Sequence, residues 1–123
     1  PEPRLARAVI PELWGECRQL MAQLDEEMGL CRRSAVALAD NERAYRTARA
    51  VEVLRLKRSG MPVTVIPDLA RGAPEVADLR CARDCSEAVY KASCEAINVL
   101  KLKLRTVNEE ITREWNSGDP DTY

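Results

Sequence analysis

The chain has 123 residues, enough for one modest domain, and charged residues make up 32% of it with a net charge of only −1. That balance argues against general electrostatic attraction to nucleic acid or to an acidic membrane surface. Aromatic residues are 4%, with no Phe, and the absence of any His removes Ser-His-Asp and Cys-His nucleophilic arrangements. The abundance of Ala, Leu, Arg and Glu predicts an all-α chain of long helices with thin aliphatic contacts.

The opening segment, residues 1–10, "PEPRLARAVI", has no continuous apolar stretch. It reads as an N-terminal arm and not as a signal peptide. No run approaches the roughly 18 apolar residues that span a bilayer. Five cysteines, an odd number in a chain without secretory features, fit a reduced setting. A cytoplasmic location is expected.

Residues 11–59 form the first predicted helix. Leu13, Cys17, Leu20, Leu24, Met28, Cys31, Ala35 and Leu38 recur every three or four residues, and Tyr45, Ala48 and Val51 continue the stripe past a polar interruption at Asn41 and Glu42. Pro11 suits the first helical turn, and Gly60 suits a left-handed stop. Gly29 is the weak point of this helix and leaves open whether it breaks or kinks there, since an interior Gly costs about 1 kcal/mol relative to Ala.

The connector, residues 60–73, gathers Pro62, Pro67 and two glycines around Val63, Val65, Ile66 and Leu69. Asp68–Arg71 fits one short helical turn, started by Thr64 or Pro67 and stopped by Gly72. The four apolar residues would either plug the end of a helical hairpin or form an exposed tip that docks a partner.

Residues 74–115 form the second predicted helix, launched by Pro74 with Glu75 and Asp78 near its positive end. Val76, Leu79, Arg83, Ser86, Tyr90, Ser93, Ile97, Leu100, Leu104, Val107 and Ile111 alternate steps of three and four, a heptad seam with polar residues in its first half. Residues 116–123 read as a tail with turn chemistry.

Charge predicts how these helices pair. Residues 11–31 carry −4, 40–60 carry +3, 74–95 carry −2 and 96–115 carry +1. Antiparallel pairing brings −4 to +1 and +3 to −2, whereas parallel pairing sets +3 beside +1. A long antiparallel, coiled-coil-like helical hairpin is therefore expected. Folding at the tip would set Cys81 and Cys85 opposite Glu52 and Ala48, Cys31 near Leu102, and Cys17 against the C-terminal end. Apolar residues off the seams, such as Trp14, Met21, Val36, Val89, Val99 and Leu102, would be buried if two hairpins formed a four-helix bundle, so a homodimer is expected.

Few residues suggest chemistry. The acids fall on helix faces, and no catalytic, cofactor-binding or metal-binding set is predicted. Cys81 and Cys85 share a face and could give two thiolates, but a closed zinc site needs four ligands. Cysteine is read as a small buried hydrophobe.

Two binding surfaces remain. A protein-binding surface is assigned to Val63, Val65, Ile66 and Leu69, with Trp14, Tyr45, Tyr90 and Trp115 as aromatic anchors. A nucleic-acid surface is the second reading, on Arg43, Arg46, Arg49, Arg55, Lys57 and Arg58, although acids interleave with them and no aromatic platform is present.

Over residues 45–115, the segments "PVT.I.DLARG..EVA.LR" and "EA.YKA..EAI" resemble small helical accessory proteins encoded in prophages of Gram-positive bacteria, often among genes for phage DNA metabolism. The resemblance carries no catalytic motif. It implies a phage accessory protein. The first functional reading is a non-enzymatic interaction protein that binds an unidentified protein, with modulation of host machinery or inhibition of host defence within that class. The alternative is a nucleic-acid-associated factor in phage recombination or replication.

Overall fold

In the computed structural model, residues 9–117 are described. The predicted arm and tail fall almost entirely outside them. Three α-helices are present among the described residues: α1 (Ile10–Arg58), α2 (Ile66–Gly72) and α3 (Pro74–Ser117). No strand occurs among them, and none of these helices is long and apolar enough to cross a membrane.

Helix α1 is continuous through Gly29. No break falls at Gly29, because good helix formers on both sides keep the hydrogen-bond ladder intact and one Gly adds only its local cost. The end of α1 follows its local chemistry. Gly60 adopts φ +82°. The Gly60 N–H donates to the Lys57 carbonyl at 3.2 Å, and the Met61 N–H to the Leu56 carbonyl at 3.3 Å. This is a Schellman stop, which satisfies two carbonyls that the helix end would leave open. Pro62 then bars further helix.

The connector forms more helix than one turn. Val65 precedes α2 without a side-chain cap, and Pro67 lies in the first turn. Gly72 does not stop α2 by a left-handed conformation, since among the described glycines only Gly60 has positive φ. Ala73 is extended, at φ −61° and ψ 131°, as the residue before a proline must usually be. Pro74 thus ends α2 and starts α3 at once.

The chain divides into two compact units. Among the described residues, the first holds those up to Leu30 and those from Ser93; the second holds Cys31–Ala92. In the first unit, Cys17, Leu20, Leu100 and Val107 form the core, flanked by Leu13, Leu24, Leu104 and Ile111. The Cys17 thiol lies 3.8 Å from Asn108 Oδ1, and a groove brings residues 23–27 beside 96–103. The α1 and α3 segments of this unit therefore run antiparallel.

In the second unit, Leu56, Ile66 and Ala70 form the core, with Val53 packed against it. Asn41 and Glu42 reach Ala82, Arg83 and Ser86. The expected register, with Cys85 facing Ala48, is corrected here by about seven residues, or two helical turns. The physical reason is α2. It folds back on Val53 and Leu56 and takes the last turns of α1, which the sequence reading had assigned to the start of α3. Likewise, the α1 residue beside Asn108 is Cys17, whereas the sequence reading placed Cys17 against the C-terminal end.

Candidate functional site

The seam of the second unit is polar where it crosses from α1 to α3. The Asn41 side-chain amide donates to Ser86 Oγ and, at 3.5 Å, to the Ala82 carbonyl. Arg83 reaches Glu42 at 3.2 Å and its own neighbour Asp84 at 2.9 Å. Its guanidinium also lies 4.8 Å from the centroid of the Tyr45 ring, within cation–π range. Arg46 pairs with Glu42 at 2.7 Å.

Charge is therefore balanced within this cluster. The hydrogen bond from Arg46 holds the Glu42 carboxyl below the ordinary carboxylate range, with Arg83 adding to it and partial burial opposing it. Arg83 is held further in its charged form by Asp84 first and Glu42 second. Such a cluster fixes which residues face one another, the best attested role of polar groups in a helical seam.

At the connector, exposure separates the four predicted contact residues. Val63 is 76% exposed, and Val65 and Leu69 are also exposed, beside Met61. Ile66 is only 3% exposed and belongs to the core with Leu56 and Ala70. The sequence assignment of Ile66 as a contact residue thus falls on an interior side chain. Its burial positions the three others. Burying one such side chain stabilises by about 1.5–3 kcal/mol, so the connector is a packed knob and not a loose loop.

The predicted anchors divide in the same way. Trp14 and Trp115, in the first unit, are exposed. In the second unit Tyr45 is buried under Arg83 and Tyr90 is half-buried. The predicted anchors thus do not form one cluster; the two tyrosines belong to the seam.

The basic set is partly neutralised. Arg43 pairs with Asp40 at 3.3 Å, Arg46 with Glu42, and Arg55 with Glu52 at 2.6 Å. Among the described residues, Arg49, Lys57 and Arg58 have no carboxylate within ion-pair distance. Arg46 and Arg49 line an open groove of about 790 Å³ with Tyr45, Val53, Leu54 and Arg83.

All five thiols are free, but only Cys17 is buried. Cys81 and Cys85 are exposed, which corrects the expectation that each cysteine is a small core residue. They lie on the outer face of α3, away from the seam that Arg83 and Ser86 occupy. Among the described residues, no three Cys, Asp or Glu side chains come together as a metal-ligand set. The polar seam cluster was the feature that sequence reasoning did not assemble. Its signal was present, in the polar interruption at Asn41 and Glu42 and in the polar first half of the α3 heptads.

No family model, characterised protein or solved structure matches the chain.

Proposed function

We propose that this chain is a non-enzymatic interaction protein that docks another protein through the connector knob. The observation that carries this reading is the exposure of Met61, Val63, Val65 and Leu69 beside the buried Ile66. Four apolar side chains are held in water on a segment whose backbone is fixed by a Schellman stop, two prolines and a small core. Exposed apolar clusters on a rigid support mark contact sites more often than scattered surface residues do. A shallow apolar groove on the partner would suit this convex knob. The prophage accessory setting is part of the reading and rests on the resemblance at residues 45–115. Self-association of the chain into a four-helix bundle belongs to it as well.

The test uses Val63→Asp, at the most exposed of these positions, and not Ile66→Asp, which would place a charge in the core. Full-length tagged chain is used to capture proteins from a bacterial lysate. A protein retained in stoichiometric amount by the wild type should be lost with Val63→Asp, while circular dichroism shows unchanged helix. Equal retention by the variant would overturn the reading.

A second reading, nucleic-acid association, is favoured by the unpaired state of Arg49, Lys57 and Arg58. It requires that labelled DNA shift at low salt, and that Arg49→Glu with Arg58→Glu abolish the shift. Neutralisation of Arg43, Arg46 and Arg55 by acids on their own helix weighs against it.

A further inference from the structure

Cys81 and Cys85 are four residues apart on α3, so they project from one helix face about 6 Å apart along the axis. Both are exposed, whereas Cys17 is buried and Cys31 and Cys94 are half-buried. The two line one open cavity of about 480 Å³ together with Arg71, Arg80 and Asp84. The neighbouring Cys85, then partial burial and the acids Asp84 and Asp78, push the Cys81 thiol up from its ordinary range.

Two adjacent thiols can close on a single atom. Once the first sulfur binds, the second bond forms intramolecularly, at a high effective concentration. The donor set then selects the ion. Soft thiolates favour Cu(I), Zn(II) and iron–sulfur clusters. Closed zinc sites and iron–sulfur clusters take four ligands, and no third Cys, Asp or Glu joins these two among the described residues. Cu(I), which accepts two thiolates alone, remains.

We infer that Cys81 and Cys85 form a dithiol site for a thiophilic ion of low coordination number, Cu(I). Binding forms two S–Cu bonds, releases the two thiol protons to solvent, and changes no oxidation state. The product, one Cu(I) with two thiolates, carries a single negative charge. Arg71 and Arg80 line the same cavity, each already paired with an acid, Asp68 at 3.0 Å and Asp84 at 3.9 Å. Because two protons leave, affinity rises with pH.

The experiment supplies Cu(I) without oxygen to the reduced full-length chain, in competition with a chromophoric Cu(I) chelator. One Cu(I) per chain is expected, with affinity at least tenfold weaker in Cys81→Ser and in Cys85→Ser, and unchanged in Cys94→Ser. Phenylarsine oxide is a second probe, since it loses its oxygen as water when two thiols close on the arsenic. The wild-type adduct should resist excess glutathione and yield to a dithiol, and both serine variants should fail to form it. Circular dichroism should show the same helix content in all variants. Wild-type Cu(I) affinity in either serine variant, an arsenical adduct that glutathione strips, or one copper shared between two chains would overturn the site.

Discussion

Glu27 is a carboxylate held half-buried on the inner face of α1. Hydrophobicity placed Met28 in the α1 seam, yet Met28 is 40% exposed and Glu27 is half-buried. The same exchange recurs at Val51, which is 61% exposed beside a half-buried Glu52. Strict alternation of three and four places residues 27 and 52 inward regardless of their chemistry, and the geometric rule won. Glu27 Oε2 is consequently buried with no hydrogen-bond partner. An unmade bond at a buried oxygen costs about 1–3 kcal/mol. Glu27→Leu should therefore stabilise the chain by about 1 kcal/mol in urea denaturation, with Glu27→Gln giving less. No gain from Glu27→Leu would mean that water already satisfies the oxygen. Glu42 and Glu52 set a pH dependence with a definite sign. Both carboxyls are held below the ordinary range, by Arg46 first and by Arg55 first respectively. Their contribution is present in full above the ordinary Glu pKa and is lost as pH falls through the lower folded value. Thermal midpoints should thus drop on acidification below the ordinary carboxylate range. Glu42→Gln should flatten that drop, because it removes a group whose proton affinity differs between folded and unfolded chain.

At the scale of elements, the α3 seam was fully legible, because its steps never slip and its periodicity needs no tertiary information. The ends of the helices were legible for a similar reason, since Gly60 and Pro74 act through local backbone chemistry. Register was not. It depended on how much of α1 the connector would cover, and covering Val53 and Leu56 with Ile66 and Ala70 is a nonlocal event that no local pattern encodes. The charge pattern helped less than expected. Arg43, Arg46, Arg55, Arg71 and Lys91 pair with acids on their own helix, whereas Glu42–Arg83 joins two helices. Register in the second unit is instead held by Asn41 on Ser86 together with Arg83 on Glu42. A double-mutant cycle on Asn41→Ala and Ser86→Ala should give a coupling of about 1 kcal/mol, the usual net worth of one such bond. Additive effects of the two substitutions would remove this pair from the forces that set register.

For the whole molecule, exposed apolar surface is what bears on whether one copy suffices. Trp14, Met21, Val99, Leu102 and Trp115, all in the first unit, are each about half exposed or more. Pairing of two copies through these side chains would take them out of water. Val99 and Leu102 lie on the same α3 face and line one groove of the first unit with Gln19 and Gln23 of α1. This face is where a second copy would add its helices to make four. Sedimentation equilibrium at micromolar concentration should therefore return twice 13.8 kDa. Val99→Asp with Leu102→Asp should return the monomer mass and leave the helical signal intact, since both side chains are already in water within one copy. A wild-type chain that stays monomeric as concentration rises would sink the pairing, and the exposed apolar side chains would then belong to contacts with a different protein.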